Sequence, residues 1–255
     1  MEKVTLPKSL SKICERAFNN CSVLKDITFR SKERKNPIYH AYKEAFANCP
    51  SLTDEDVNNI AEYMDPNGEK IFANNPQLVE VEVYRLGDEM FDMSGVSGQV
   101  RSRLKKVTVK HPNSQGVISA NLPFNDCYSL ETVVLPEGTL AIGDEVLFTT
   151  DTSSKKSCIM HVNIPSTCKS IGSKTFYHSP NLQELFIPKS ITYIGKHAFE
   201  RSNLSALEVE KGINCKINSF AFKKSKINNE SVNTLCLQPI IFDKDDDNNP
   251  IITEQ

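Results

Sequence analysis

A short pattern of apolar and polar positions recurs along the chain. The segments IPSTCKSIGSKTF (164–176) and IPKSITYIGKHAF (187–199) are nearly the same. Each follows an alternation of apolar and polar residues, as in LQELFIP, and contains a second short apolar run, as in SITYIG. Alternation with a period of two predicts a short β-strand that turns one face inward. Recurrence at a spacing between roughly 20 and 50 residues predicts stacked repeat units.

A phenylalanine ends each pattern, and we predict that it fills the interior of its coil as a plug. Three residues after it lies a position, here called the polar slot, that holds a cysteine, an asparagine or a serine. Such a slot is expected to face inward, where its side chain bonds turn backbone or, as Cys, acts as a small hydrophobe. About nine units fit the chain. The plugs are Phe18, Phe46, Phe72, Phe91, Phe124, Phe148, Phe176, Phe199 and Phe222, and the slots are Cys21, Cys49, Asn75, Cys127, Ser179, Ser202 and Ser225.

Glycine and proline recur at particular positions of the pattern. A glycine stands four residues before four of the nine plugs, and Gly143 stands one position further from Phe148. Because glycine adopts positive φ easily, we predict a sharp turn there. Proline lacks the N–H that a strand ladder needs, so it is expected to end strands. The glycines are Gly68, Gly87, Gly172 and Gly195, and the prolines are Pro7, Pro136, Pro165 and Pro188.

The pattern predicts one fold class. One unit cannot bury its apolar face alone, whereas stacked units share a continuous core. We therefore predict a single solenoid domain over residues 1–240, followed by an acidic tail or linker over 241–255. The chain starts at once with a strand and has no polar capping unit, so further repeats or domains are expected upstream.

The segment LQELFIPKSITYIGKHAFERS (182–202) resembles the BspA-type leucine-rich repeat almost position for position. The resemblance implies an α/β leucine-rich-repeat solenoid, a right-handed coil with short parallel strands on its concave face and few helical segments elsewhere. Proteins of this family occur on bacterial cell surfaces and in some protists, and they are associated with adhesion. The resemblance therefore implies a protein-interaction role at the cell surface or in secreted form.

Three stretches depart from the repeat. SLTDEDVNNIAEYM (51–64) predicts a helix capped by Ser51 or Thr53, with an apolar stripe on one side. YRLGDEMFDMSGVSGQVRSRL (84–104) lengthens a loop, and TTDTSSKKS (149–157) is a polar insertion. Loops on a rigid scaffold often carry function, so these rim segments are alternative binding sites.

Composition excludes several classes of function. The formal net charge of the 255 residues is −2, and no basic cluster carries interleaved aromatic residues, so no nucleic-acid partner is expected. No apolar run is long enough to span a bilayer, and the N-terminus has no signal-peptide core. Eight cysteines occur without a CxxC pair, and we expect Cys21, Cys49 and Cys127 to be reduced. The redox state of Cys158, Cys168, Cys215 and Cys236 is left open.

The sequence offers little chemistry. Asp243, Asp245, Asp247 and Glu254 have the spacing of calcium-loop ligands, but Asn248 replaces the turn glycine and Pro250 is unfavourable there. The five histidines occupy unrelated positions, and no nucleophile or phosphate-binding motif occurs. We therefore expect no metal, no cofactor and no enzyme activity. An enzyme would need acids or histidines to converge around 50–66 or 85–103.

One position in each strand lies between two inward apolar residues and must point outward. We call these positions the outward row. Stacked strands lie about 4.8 Å apart, so their outward side chains form a nearly continuous surface. Two members, Val134 and Phe186, are apolar where water is expected. The row comprises Thr5, Thr28, Glu82, Thr108, Val134, Asn163, Phe186 and Glu208.

These observations predict a non-enzymatic protein-interaction module. The expected ligand is an extracellular protein or glycan, bound by the outward row on the concave face or by the rim loops. The alternative is a structural spacer that holds another domain away from the cell. We expect the protein at the cell surface or secreted, with a cytoplasmic location as the alternative.

Overall fold

The computed structural model describes residues 1–7, 9–29, 39–96, 102–148, 157–210, 213–218, 220–227, 242–244 and 250–252. The chain divides into two compact units. Unit 1 comprises 1–110 and 120–130, and unit 2 comprises 111–119 and 131–255. Short parallel strands dominate both, and a parallel-strand solenoid of about eight turns with very little helix confirms the predicted fold class.

Unit 1 contains seven short strands and one helix in the described residues. They are β1 (Val4–Leu6), β2 (Lys12–Ile13), β3 (Ile27–Phe29), β4 (Tyr39–Ala41), α1 (Asp54–Ala61), β5 (Met64–Pro66), β6 (Glu80–Val83) and β7 (Lys106–Val109). Within the unit the strands pair in parallel, β1 with β3, β4 with both β2 and β5, and β6 with β7.

Unit 2 holds a five-stranded parallel sheet made from the second apolar run of each coil. Its strands, in spatial order, are β8 (Val117–Ile118), β10 (Ala141–Ile142), β12 (Ser170–Ile171), β14 (Tyr193–Ile194) and β16 (Lys216–Ile217). The first alternation forms β9 (Thr132–Val134) paired with β11 (His161–Val162), and β13 (Glu184–Ile187) paired with β15 (Ala206–Val209). An antiparallel pair, β17 (Phe242–Lys244) with β18 (Pro250–Ile252), lies within the predicted tail. Asp245, Asp247, Asn248 and Glu254 lie outside the described residues.

The predicted plugs stack ring on ring. In unit 1 the centroid distances from Phe18 through Phe46, Phe72 and Phe91 to Phe124 are 5.0, 5.8, 5.9 and 6.2 Å. In unit 2 Phe199 lies 5.2 Å from Phe176 and 5.1 Å from Phe222. The planes of successive rings are nearly parallel, and most of the rings are fully buried. The plug prediction is confirmed for these phenylalanines.

Phe148 is not a plug, and the prediction was wrong by one residue. Leu147 is fully buried in that place, whereas Phe148 is only half-buried and meets the ring of Tyr177 edge-on at 5.5 Å. With Leu147 as the plug, Gly143 falls four residues before it, as Gly172 and Gly195 do before their plugs. Glu145, two residues before Leu147, also has the positive φ found at that place elsewhere.

The glycines have a different role from the predicted one. The positive-φ glycines of the described chain are Gly116 and Gly138, neither of which belongs to the set four residues before a plug. That set is required by close packing instead. A Cβ on Gly195 would lie 2.6 Å from the Ser173 nitrogen, and one on Gly172 would lie 2.5 Å from the Gly143 carbonyl carbon. Adjacent coils therefore meet backbone to backbone at these glycines.

The tight turn around each plug is made by residues other than glycine. Lys174 and His178, two positions before and after Phe176, have φ of 52° and 53°. A side chain in this conformation costs about 1–2 kcal/mol. The backbone N–H groups of Lys174, Phe176 and His178 all donate to carbonyls of the next coil, at 3.0, 2.8 and 2.8 Å. Alternate residues of the turn thus form a ladder between coils, and these hydrogen bonds offset the strain.

The polar slots face inward as predicted. The Cys49 thiol donates to the Phe18 carbonyl at 2.9 Å, and the Cys127 thiol donates to the Phe91 carbonyl at 3.1 Å. Ser202 donates to the Phe199 carbonyl at 2.8 Å. Burial raises the pKa of Cys49 to about 11 and that of Cys127 to about 12. None of the described cysteines, which are Cys14, Cys21, Cys49, Cys127, Cys158, Cys168 and Cys215, takes part in a disulfide, while Cys236 lies outside the described residues.

Helix α1 begins after Thr53, which confirms one of the two predicted caps. The Thr53 hydroxyl accepts from the Asp56 N–H at 3.2 Å, and the Asp56 carboxylate accepts from the Thr53 N–H at 3.0 Å. Val57, Ile60 and Ala61 form the buried stripe. Met64 is also buried, but it lies in β5 beyond the end of the helix.

Candidate binding face

The outward row of unit 1 is interrupted by α1. Thr5 and Thr28 lie opposite each other in the register of β1 and β3, and both are exposed. The Asp56 carboxylate accepts from the Ile27 N–H of β3 at 2.9 Å, while Asn58 accepts from the Glu82 N–H of β6 at 2.7 Å. Side chains of α1 therefore bond strands on both sides of it. The helix separates Thr28 from Glu82, which the sequence had placed side by side.

The charges on β6 and β7 neutralise one another. Glu82 lies opposite Thr108, and its carboxylate lies 2.7 Å from the Lys110 ammonium. The Glu80 carboxylate lies 3.9 Å from the Lys106 ammonium. Each outward acid of this strand pair thus has as its partner a lysine in β7 or directly after it.

The outward row of unit 2 lines an open groove of about 780 Å³. Phe186 lies directly opposite Glu208 in the register of β13 and β15, and 44% of its surface is exposed. The structure brings together Val134, Asn163, Phe186 and Glu208, four residues of the predicted row. The lining comprises Thr132, Val133, Val134, Met160, His161, Val162, Asn163, Glu184, Leu185, Phe186, Ala206, Leu207 and Glu208.

The groove lies at an interruption of strand pairing in unit 2. β9 pairs with β11, and β13 pairs with β15, but among the described strands no pairing joins β11 to β13. Continuous pairing would bring neighbouring strands about 4.8 Å apart and leave a closed surface. The break opens the surface between the two pairs, and residues from all four strands line it.

Asn163 has a structural role that the sequence did not indicate. Its amide oxygen accepts from the Leu135 N–H at 2.7 Å, and its amide nitrogen donates to the Leu135 carbonyl at 2.8 Å. The side chain thus imitates a strand backbone and extends the pairing of β9 with β11 by one residue. Both polar atoms of the Asn163 side chain therefore stabilise the strand pairing.

Glu184 and Met160 are groove residues that the predicted row did not include. Glu184 lies two residues before Phe186 on the same strand face, so the period of two could have found it. Met160 could not be found in that way, because it has the same parity as the inward residues Val162 and Ile164. It is nevertheless 39% exposed, whereas Ile159 is fully buried, so the alternation shifts by one residue where β11 begins.

The acids of the groove differ from those of unit 1. Within the described residues, no ion pair involves Glu184 or Glu208, and none of the lining residues is a lysine or an arginine. Glu210, just beyond β15, shows the contrast. The Lys189 backbone N–H donates to it at 3.0 Å and, with the ammonium at 3.2 Å, lowers the pKa of the Glu210 carboxyl. The groove therefore combines an exposed ring with two uncompensated acids.

The described part of the chain contains no cluster of three or more His, Cys, Asp or Glu side chains with the geometry of a metal site. Its helix is too short and too polar to cross a membrane.

A family model described as the BspA type leucine rich repeat region matches residues 1–98 and 118–236 in six copies. The chain belongs to the BspA type leucine rich repeat family. This confirms the resemblance seen at 182–202, and the matched residues include every strand from β1 to β16 except β7 and the first residue of β8. No curated protein was found to match the chain.

Comparison with solved structures finds proteins similar to this BspA-type chain, of which the first shares its fold. A leucine-rich repeat protein from Bacteroides ovatus is 16% identical over 88% of this chain and 58% of its own, with a TM-score of 0.53. The pneumococcal vaccine antigen PcpA is 23% identical over 89% of this chain and 55% of its own, with a TM-score of 0.41. A leucine rich cell surface protein from Faecalibacterium prausnitzii is 18% identical, with a coverage of 92% and 77% and a TM-score of 0.34. The chain spans less than two thirds of the first two proteins.

Proposed function

We propose that this chain is a non-enzymatic protein-interaction module that binds a macromolecule through the unit 2 groove. Membership of a leucine-rich-repeat family supports the general role. In keeping with the family resemblance, the proposal includes an adhesin-like protein that is displayed at the cell surface or secreted. Labelling of intact cells with an antibody against the chain tests that location, and labelling that requires permeabilised cells contradicts it.

The observation that carries the proposal is the exposed ring of Phe186 beside the exposed Met160. Single exposed apolar residues are ordinary on a protein surface, but these two line one groove with Val134. Phe186 is already more than half buried, so covering the rest of it contributes less to binding than the about 1.5–3 kcal/mol of burying a fully exposed phenylalanine. Aromatic side chains in a surface depression, with polar residues around them, are typical of the centres of protein interfaces.

The test is the binding of this chain to an array of extracellular-matrix proteins and glycans. A Val134→Asp/Phe186→Asp variant places charge in the groove at positions that point outward. A Thr5→Asp/Thr28→Asp variant places the same charge on the outward row of unit 1, at two exposed positions of β1 and β3, and serves as the matched control. Thermal melts followed by circular dichroism establish that both variants fold.

A ligand that is lost only with the Val134→Asp/Phe186→Asp variant supports the proposal. A ligand that this folded variant retains moves the site to the rim loops and overturns the groove as the binding face. The absence of any ligand contradicts the proposal and favours the spacer alternative.

A further inference from the structure

The outward faces of β13 and β15 carry two acids and one ring in a compact arrangement. Glu184 lies opposite Ala206, and Phe186 lies opposite Glu208. Adjacent strands are about 4.8 Å apart, and positions i and i+2 of a strand are about 6.6 Å apart. The Cα atoms of the two acids are thus separated by about 8 Å along the diagonal of this small lattice. The Phe186 ring occupies the corner that adjoins both of them.

These acids have no cation within the described residues, in contrast to Glu80, Glu82 and Glu210. Salt screens charges that lie further apart than the Debye length, which is about 8 Å at physiological salt. The two carboxylates are no further apart than this, so their repulsion is only partly screened. A cation placed between them is attracted by both. The uncompensated charge therefore favours a positively charged ligand and disfavours an anionic glycan.

Elsewhere the protein covers partly exposed rings with its own cations. The Arg85 guanidinium lies 5.2 Å from the ring centroid of Tyr84. The ammonium groups of Lys196 and Lys223 lie 5.7 and 5.0 Å from the centroid of Phe220. No cation of the described chain lies over Phe186, although that ring is exposed. Its open face is available to a cation from another molecule.

We propose that the unit 2 groove binds an arginine side chain of a protein partner, with the guanidinium stacked on Phe186 between Glu184 and Glu208. This inference rests on the proposed function and names the chemistry of its partner. Arginine suits the site better than lysine, because its planar guanidinium stacks on a ring while its fork of N–H donors reaches carboxylates. Met160 and Val134 supply an apolar wall for the residues that flank the arginine.

The test uses a fluorescently labelled nine-residue peptide of alternating arginine and valine, measured by fluorescence anisotropy at physiological salt. The comparison peptides replace each arginine by citrulline or by lysine. Citrulline keeps the shape of the side chain and removes its charge. We expect the arginine peptide to bind about tenfold or more tightly than the citrulline peptide, and several-fold more tightly than the lysine peptide.

Two variants of equal charge locate the site. Glu184→Gln/Glu208→Gln is expected to weaken binding of the arginine peptide by about tenfold or more. Glu80→Gln/Glu82→Gln removes two acids from unit 1 and is expected to leave binding unchanged. Phe186→Leu, which keeps an apolar side chain and removes the ring, is expected to weaken binding several-fold. Equal binding of the citrulline peptide, or equal losses in the two glutamine variants, overturns the inference.

The inference and the proposed function fail in different ways. An array ligand that is lost with Val134→Asp/Phe186→Asp, but is retained by Glu184→Gln/Glu208→Gln and not displaced by the arginine peptide, leaves the binding module intact. That result overturns the arginine site. Binding of the arginine peptide that depends on Glu184 and Glu208, in a chain that binds no array protein, supports the arginine site and contradicts the proposed function.

Discussion

Gly195 lies directly against Ser173 of the preceding coil, so closely that a Cβ on Gly195 would come within 2.6 Å of the Ser173 backbone nitrogen. Gly172 meets Gly143 and Asp144 in the same way. Backbone atoms cannot swing aside as a flexible side chain can. The spacing between coils at this place is therefore set by the absence of a side chain.

Gly195→Ala and Gly172→Ala are each expected to lower the free energy of unfolding by about 1–3 kcal/mol, as overpacking of a fitted interior does. Gly143→Ala is the matched control, because its nearest neighbour, the Ile118 carbonyl oxygen, would lie at 3.1 Å and leaves more room. Urea unfolding of the three variants measures the difference. Equal stability of Gly195→Ala and Gly143→Ala would contradict the packing role.

The position of the plug in the coil at 143–148 is open to a direct test. Leu147→Ala removes a fully buried side chain and is expected to cost about 2–5 kcal/mol of unfolding free energy. Phe148→Ala removes a half-buried ring that contacts Tyr177 and is expected to cost clearly less. Thermal melts of both variants decide the matter. A larger loss in Phe148→Ala would restore the register first predicted from the sequence.

Most of the coil could be predicted from sequence, because every repeat places the same position in the same surroundings. Phe199 is buried and stacked in the same way as Phe46, and Ser202 and Cys49 each donate to the carbonyl of a plug phenylalanine. At 147–148 two adjacent apolar residues compete for one place, and a pattern that counts phenylalanines selects the larger. The packing of the surrounding coils selects Leu147 instead.

The candidate site was harder to predict than the fold. Phe186 and Glu208 follow from the period of two, since register pairs them across β13 and β15. Met160 is exposed only because the alternation shifts at the start of β11, and that shift depends on tertiary contacts. The glycine role also needed the structure, because a single coil does not show how closely the next one approaches it.

Buried thiols predict a pattern of chemical reactivity. Burial raises the pKa of Cys49 to about 11 and that of Cys127 to about 12, so both thiols stay protonated and enclosed in the folded protein. Cys14 is exposed. Treatment with iodoacetamide near neutral pH is expected to modify Cys14 first and to reach Cys49 and Cys127 only after unfolding, as measured by mass spectrometry of the peptides. Modification of Cys127 in the folded state at the rate of Cys14 would contradict the burial of this slot.

The same shifts give stability a pH dependence. A pKa that is higher in the folded than in the unfolded protein contributes stability below the unfolded value, and that contribution is lost as the pH rises toward the folded value. For Cys49 and Cys127 the loss begins near pH 9 and continues to about 11 and about 12. A Cys49→Ala/Cys127→Ala variant is therefore expected to lose less stability between about pH 8 and pH 10 than the parent does. If urea unfolding shows that the variant and the parent lose the same stability over this pH range, the two thiols are not the cause of the pH dependence.

Asp56 joins α1 to the neighbouring strand β3. Its replacement is therefore expected to lower the free energy of unfolding by more than the loss of an ordinary acid in the first turn of a helix does. Its carboxylate accepts from the Ile27 N–H of β3 and from the Thr53 N–H, and the residue is 4% exposed. Asp56→Ala leaves the Ile27 N–H buried without this acceptor, which costs about 1–3 kcal/mol. Loss of the hydrogen bond from the Thr53 N–H, which is the second half of the capping box, adds to this cost.

Glu55→Ala is the matched control for Asp56→Ala. Glu55 lies in the same first turn of α1, is exposed, and interacts with the helix chiefly through its charge, so its loss is expected to cost about 0.3–1 kcal/mol. Urea unfolding of both variants separates the two contributions. A loss in Asp56→Ala no larger than that in Glu55→Ala would mean that the carboxylate only supports the helix. The larger expected loss would show that this acid substitutes for a second strand partner, which β3 lacks among the described strands where α1 interrupts the sheet.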